Sequence, residues 1–247
     1  MNKRFTLILI LLFCAVVSYN KVLAQDKVAD SIQQRKISAN MAGVFNSAVK
    51  EQSALYNGPA FIPYTFRTTT TANFRDTTDF YNGWVNYNGI VYTNVPLIYN
   101  MEKDALVSKL FNGVSLYTLL SDRVYDFNVL GHHFIRVWPD AANPQIEAGF
   151  YEDLYTNKIQ VLARRTKEIQ KEAISKGTGS FFAEKTDYFL KKGNKYYNVN
   201  SEGKFYDALK DKKKELKQFL KDNKLKFGDN TERVMAGLAA YYDHITN

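Results

Sequence analysis

Alternation of apolar and polar residues dominates the chain from about residue 80 to residue 200. Short runs rich in Val, Ile, Tyr, Phe and Thr are separated by turn signals, and Asn-Gly occurs at 57–58, 82–83, 88–89 and 112–113. Asn and Gly accept the positive φ angles that tight hairpin turns require. The pattern predicts hairpins at 84–93 and 188–199, with further strands near 95–99, 104–109, 114–119, 123–129, 133–138, 148–155 and 159–169.

Short strands at roughly ten-residue spacing are typical of an antiparallel meander, curled into a barrel or folded as a sandwich. A polar stretch at about 67–78 predicts an irregular loop before these strands, and a short helix is expected ahead of it, near 44–55. The Gly-Thr-Gly-Ser segment at 177–180 is interpreted as a flexible connection, because it lacks the lysine and the following helix of a phosphate-binding loop.

The period of the apolar residues changes after residue 204. Phe205, Leu209, Leu216 and Leu220 fall on one side of a helix, and a second helix is predicted where apolar residues recur from Val234 onward. The fold class expected is therefore α+β: a mainly antiparallel β meander, at about 80–200, with two C-terminal amphipathic helices at about 204–245.

The first 24 residues have the pattern of a cleavable signal peptide. Lys3 and Arg4 precede an apolar run, and Val22-Leu23-Ala24 fits the cleavage site, so we expect cleavage before Gln25. A membrane anchor is the alternative. The apolar run of residues 5–17 would span only about 20 Å as a helix, against roughly 30 Å of hydrocarbon.

Export then predicts a periplasmic or extracellular protein in which residues 25–247 form one domain. The single cysteine, Cys14, falls inside the signal segment, and the bulky Leu12 and Phe13 before it exclude lipidation there. A cysteine-free domain has no disulfides and no cysteine-based metal site, so its stability is expected to come from packing. No cofactor and no metal are expected.

Several short segments of the chain, taken together, resemble a known family. These are Leu-Tyr-Asn-Gly at 55–58, Gly-His-His-Phe-Ile-Arg at 131–136, Gly-Phe-Tyr-Glu at 149–152, Val-Leu-Ala-Arg-Arg at 161–165, Asp-Lys-Lys-Lys-Glu-Leu at 211–216 and Asn-Lys-Leu-Lys-Phe at 223–227. As a set, they resemble a family of exported, functionally uncharacterised proteins of Bacteroidetes-type bacteria. The resemblance covers most of 44–245; it implies export and a single domain, and it implies no activity.

The histidines and acids offer weak catalytic candidates. His132 and His133 are adjacent on a predicted strand, so their rings should point to opposite faces rather than to one metal. Acid pairs could perform glycosidase chemistry, and the candidates are Asp122 with Asp126, Glu147 with Glu152, and Asp153 beside either. Nothing favours one pair, and no catalytic residue is assigned.

Positive charge is concentrated in one part of the chain. Residues 185–226 contain 13 Lys against 6 Asp and Glu, whereas the whole chain has a net charge of +8. If residues 205–226 form one helix, the lysines gather on one flank and the acids on the other. The predicted anion-binding residues are Lys210, Lys213, Lys214, Lys217, Lys221 and Lys224.

These observations predict an exported, non-catalytic envelope protein that acts as a binding or structural module. Its expected partners are anionic lipid, lipopolysaccharide or glycan, reached through the lysine-rich helix. No nucleic-acid binding is expected, because lysines without interleaved arginines and aromatic residues read no bases. No transmembrane span is expected after cleavage. The alternative is an extracytoplasmic hydrolase acting on glycans. The oligomeric state is left open.

Overall fold

The computed structural model describes residues 54–138, 140–174, 177–228 and 230–246. The predicted signal at 1–24 and most of the helix expected near 44–55 lie outside these residues. The described chain contains ten strands: β1 Tyr81–Tyr87, β2 Ile90–Asn100, β3 Ala105–Lys109, β4 Leu116–Thr118, β5 Val124–Val129, β6 His132–Val137, β7 Gly149–Thr156, β8 Ile159–Ile174, β9 Gly177–Lys192 and β10 Lys195–Asn198.

All ten strands belong to one antiparallel sheet, in the order β10-β9-β8-β7-β6-β5-β1-β2-β3-β4. Two stretches, β1 to β4 and β5 to β10, are simple meanders in which each strand pairs with the next. They are joined where β1 pairs with β5, for example Val85 with Phe127. The predicted meander and α+β class are confirmed. The described strands form an open sheet. Of the two architectures predicted from the sequence, barrel and sandwich, the barrel is therefore not formed.

The two clearest predicted hairpins are confirmed. Asn88 and Gly89 connect β1 to β2 with φ angles of 53° and 78°, the left-handed values that this two-residue turn needs. Gly193, with φ of 60°, opens the turn between β9 and β10. The sequence interpretation of 177–180 was wrong. That segment begins β9 and pairs with β8, for example Gly179 with Glu172. Glycine alone does not favour a strand, but the backbone hydrogen bonds to β8 hold the segment in the extended conformation.

Three helices follow the sheet: α1 Glu202–Ala208, α2 Lys213–Asp222 and α3 Thr231–Ile245. The first predicted helix is thus interrupted, with a 3-10 turn at Lys210–Lys212 between α1 and α2. Leu209, at the break, is fully buried and has non-helical angles, φ −114° and ψ 38°. Burial of this leucine against the sheet and α3 therefore outweighs the preference for a continuous helix.

The apolar core lies in three clusters. Two of them lie on one face of the sheet. The first is an aromatic cluster under β1, β2, β5 and β6, in which the Phe127 and Phe134 rings stack with 4.9 Å between their centres. The second lies where α1, α2 and α3 cover Val161 and Leu190. The third lies on the opposite face, where the loop residue Ile146 packs on Leu162. The helices therefore cover only one part of one face.

Both outer strands of the sheet are closed by loop residues. At β4, backbone hydrogen bonds join Phe61 to Leu116 at 3.0 Å and Thr118 to Pro59 at 2.9 Å. At β10, the Gln145 amide donates to the Tyr196 carbonyl at 2.6 Å, and the Tyr196 N–H donates to the Asn143 side chain at 3.2 Å. The backbone groups that an added strand would use at these positions are already bound.

Candidate functional site

Four of the six predicted anion-binding residues lie together on α2. Its buried side carries Leu216 and Leu220, which pack on the core. At about 100° per residue, Lys213, Lys214, Lys217 and Lys221 occupy one adjoining arc of about 100°. These four residues are called the lysine flank below. The other two lie beyond the helix: Lys210 is in the 3-10 turn and Lys224 follows the helix end in a left-handed conformation.

Few of these lysines have a charged partner. Lys213 pairs with the exposed Asp207 at 3.0 Å, and the Lys217 ammonium lies 5.5 Å from the centre of the Tyr206 ring. Within the described part of the chain, no ion pair forms at Lys210, Lys214, Lys221 or Lys224. The positive potential of this surface is therefore only partly compensated.

The lysine flank borders a groove of about 540 Å³ between α1, α2 and the loop that follows α2. The groove is lined by both charged and apolar residues. Three lysines line it, Lys217, Lys221 and Lys226. The apolar residues and the remaining lining residues are Leu220, Leu225, Phe227, Tyr206, Glu202 and Gly228.

One residue that lines this groove, Tyr206, has a buried hydroxyl. Tyr206 is only 2% exposed, and its hydroxyl makes no hydrogen bond within the described chain. Burial, together with the negative charge of Glu202, raises the pKa of Tyr206 to about 12, so the group is a neutral donor. The hydroxyl oxygen has almost no accessible surface, so it is not exposed to a ligand in the groove.

Sequence reasoning found the lysines but missed Tyr206, Leu225, Lys226 and Phe227. The groove arises because α1 and α2 meet at an angle after the break at Leu209, and no local pattern encodes that angle. Leu225 is 43% exposed and adds apolar surface to the lining of the groove beside the lysines. The arrangement suits a ligand with an anionic head and an apolar portion.

The two histidines behave as the strand pattern predicts. They lie on opposite faces of β6 and have different partners. His132 Nδ1 lies 2.5 Å from Glu152 Oε1, and the Arg75 guanidinium lies 3.3 Å from His132 Nε2. Since the guanidinium only donates, Nε2 is the acceptor and the proton is on Nδ1.

His132 belongs to a buried ionic network, defined as His132, Glu152, Arg165 and Glu232. The Arg165 guanidinium donates to Glu152 through Nε at 2.6 Å and to Glu232 through Nη2 at 2.7 Å. Burial lowers the pKa of Arg165, but the charges of the two glutamates outweigh it and raise the pKa above its usual value. Because Glu232 is in the first turn of α3, the network ties the helical layer to the sheet.

The predicted acid candidates have different surroundings, and the structure brings Asp126 and Asp153 together on the two sides of the His133 ring. Glu147 is exposed in a loop, whereas Glu152 is buried and bound by cations. Asp122 lies in a 3-10 turn, and Asp126 lies beside His133, with 3.3 Å between Asp126 Oδ2 and His133 Nε2. Among the described residues, no group of three or more His, Cys, Asp and Glu side chains is arranged to hold a metal ion.

Comparison with known proteins does not assign the chain to a family. No protein-family model matches the chain, and neither the curated proteins nor the solved structures give a significant match. Among the helices of the described residues, none has the length and apolar character needed to cross a membrane. The resemblance to the exported Bacteroidetes-type family therefore stays a prediction.

Proposed function

We propose that this protein is an exported, non-catalytic binding module of the cell envelope that docks on an anionic lipid surface through the lysine flank and its groove. The observation that carries the proposal is a groove lined both by three lysines, Lys217, Lys221 and Lys226, and by apolar residues. Phosphate-bearing headgroups supply the anion, and the first methylenes of an acyl chain fit against Leu225 and Phe227.

The strength expected of such docking is modest. Each lysine near an anionic surface contributes about 1 kcal/mol, and the attraction falls off within a Debye length of about 8 Å at physiological salt. Burial of Leu225 adds a smaller apolar contribution. The protein is therefore expected to bind reversibly, with a strong dependence on ionic strength.

Co-sedimentation with lipid vesicles tests the proposal. The purified protein is mixed with vesicles of pure phosphatidylcholine or of phosphatidylcholine containing phosphatidylglycerol, at about 0.05 M and about 0.5 M salt. Replacing Lys214, Lys217 and Lys221 by Gln should weaken binding to the anionic vesicles roughly a hundredfold, since about 3 kcal/mol is lost.

A charge-matched control separates the groove from net charge. Lys171, Lys185 and Lys195 are exposed on strands of the sheet, so replacing these three by Gln removes the same charge elsewhere. This variant should retain most of the binding. If both triple variants lost vesicle binding equally, the binding would depend on net charge and not on the groove. Absence of binding at low salt would refute the proposal.

The hydrolase alternative has less support. The most deeply placed acid, Glu152, is held by Arg165 and His132 and is only 5% exposed, which favours a structural role. A general acid in a glycosidase needs a carboxyl that reaches the substrate, whereas the carboxyl of Glu152 is enclosed by the side chains of Arg165 and His132.

A further inference from the structure

A row of polar and aromatic side chains crosses the sheet on the face opposite the helices. Trp84 on β1 is paired with Asn128 on β5, and Asn128 is paired with His133 on β6. The row continues on β7 at Asp153, whose carboxylate lies 3.7 Å from His133 Nδ1. Directly paired residues of an antiparallel sheet share a face, so these four side chains, called the polar row below, lie side by side.

The row faces solvent in the described structure. Trp84, Asn128 and His133 are all partly exposed, and the covered part of this face begins further along, where Ile146 packs on Leu162. Neighbouring strands are about 4.8 Å apart, so a row across four strands is about 14 Å long. A linear glycan of two or three sugar residues has this length.

The imidazole of His133 stands at the centre of the row. Its Nε2 is 3.3 Å from Asp126 Oδ2, and its Nδ1 faces Asp153. An ionised carboxylate can accept about four hydrogen bonds, so contact with His133 does not use the full capacity of either acid. The side chains of Thr156 and Gln160 donate to Asp153 Oδ1. The acids thus retain acceptor capacity directed at the exposed face.

The aromatic part of the row is the Trp84 indole, which lies against His133 with 5.4 Å between ring centres and a 39° tilt. A large flat ring beside carboxylate and amide acceptors combines an apolar stacking surface with several hydrogen-bonding groups. Sugars need this combination, because a pyranose has an apolar face of C–H groups and a rim of hydroxyl donors.

We propose that the polar row is a glycan-binding site, with Trp84 stacking on a sugar ring and Asp126, Asn128 and Asp153 accepting from its hydroxyls. The two carboxylates select uncharged or amine-bearing sugars and disfavour acidic ones, because a second negative charge would be repelled. The site lies on the other face of the sheet from the lysine flank and does not depend on lipid docking.

Intrinsic fluorescence reports directly on this site. The chain has two tryptophans, and replacing the exposed Trp138 by Phe leaves Trp84 as the only indole. This Trp138→Phe protein is titrated with cellotriose, with the trimer of N-acetylglucosamine, with its deacetylated trimer and with an acidic trimer of galacturonic acid. A saturable change with an uncharged or amine-bearing trimer, and none with the acidic trimer, is the expected result.

Variants of the two acids beside His133 complete the test. In the same background, Asp153→Asn or Asp126→Asn should weaken binding about tenfold, as expected for one hydrogen bond to a charged group. The matched control is Asp122→Asn, at an exposed acid outside the row, and it should bind as the parent does. Circular dichroism and urea midpoints verify that each variant is folded.

Two outcomes would overturn the proposal. The first is no saturable signal with any trimer up to about 10 mM, which is weaker than any useful affinity. The second is binding measured by calorimetry that persists unchanged in Trp84→Ala and Asp153→Asn, because the glycan would then sit elsewhere. Preference for the acidic trimer would contradict the role given to the carboxylates.

Discussion

The buried ionic network and the lysine flank are charged regions of opposite construction. In the network, the positive charge of Arg165 lies between two glutamates, and the imidazole of His132 takes the remaining position at Glu152. On the lysine flank, four ammonium groups share one arc of α2, and only Lys213 has an ion pair in the described structure. One region brings opposite charges into contact, and the other accumulates charge of one sign.

This difference separates what holds the fold together from what remains free to bind. Taking charges out of water is costly, so a buried charge persists only with a close partner, and removing that partner leaves the cost uncompensated. Exposed lysines carry almost no such cost, because water screens them. Substitutions in the two regions should therefore affect different measurements.

Loss of Arg165 should have the largest effect on stability. Arg165→Met keeps much of the side-chain volume but leaves Glu152 buried without its guanidinium, so the free energy of unfolding should fall by about 3–5 kcal/mol. Urea denaturation followed by circular dichroism measures this. Lys185→Ala is the control, since its exposed pair with Asp187 should leave the urea midpoint unchanged. A similar midpoint for Arg165→Met and the parent would show that the buried Glu152 does not depend on the guanidinium of Arg165.

Glu232→Gln should have a smaller and more local effect. The amide cannot match the charge-assisted bond to Arg165, and it weakens the hydrogen bond from Tyr188, so we expect a loss of about 1–2 kcal/mol. Because Glu232 belongs to α3, amide hydrogen exchange should speed up in α3 more than in β5 and β6. Uniform acceleration over the whole sheet would contradict a role in attaching the helical layer.

Acid should weaken the attachment of the helical layer at Asp211. Burial raises the pKa of this carboxyl, but hydrogen bonds from Lys192 and Tyr242 outweigh it and hold the pKa below 3.8. The folded state thus binds the proton less tightly than the unfolded state, so the stabilisation is complete above pH 3.8 and is lost as the pH falls through the lower, folded value.

The test at Asp211 compares the parent with Asp211→Asn across pH. The difference in free energy of unfolding should be constant near neutral pH and should shrink below about pH 4. Urea titrations at several pH values measure the difference. Asp222→Asn, on α2 with only a bond from Gln218, serves as a control and should show little pH-dependent difference. A difference at Asp211 that grows as the pH falls would reverse the assigned direction.

The lysine flank should respond least in stability. Replacing Lys214, Lys217 and Lys221 by Gln removes no close ion pair in the described structure, so the urea midpoint should stay the same within error. The same variant is the one expected to lose vesicle binding. A clear drop in its midpoint would mean that these lysines support the helix itself, and the contrast with the buried ionic network would fail.

Local patterns were enough to predict much of the fold. The Asn88-Gly89 turn, the β9–β10 hairpin and the C-terminal helices follow from residue periods and turn chemistry, and they are confirmed. Insertion of β1 between β2 and β5 could not be predicted, because pairing between distant strands depends on the assembled sheet. The break at Leu209 likewise depends on burial against residues far away in sequence.

The candidate sites show the same limit. The lysines could be placed on one flank from a helical period alone. The groove needs the loop that carries Leu225 and Phe227 to return against Tyr206, and the polar row needs the register that places His133 beside Asn128. Both depend on tertiary geometry, which has no signature in a single sequence.

The closed outer strands have a consequence for how copies of this protein meet. A sheet grows by strand addition only where an edge offers free N–H and C=O groups. Here Gln145 and Asn143 occupy those groups at Tyr196, and the segment at Pro59 and Phe61 occupies them at β4. At these positions of β4 and β10, a neighbouring molecule therefore finds no free backbone groups on which to add a strand of its own.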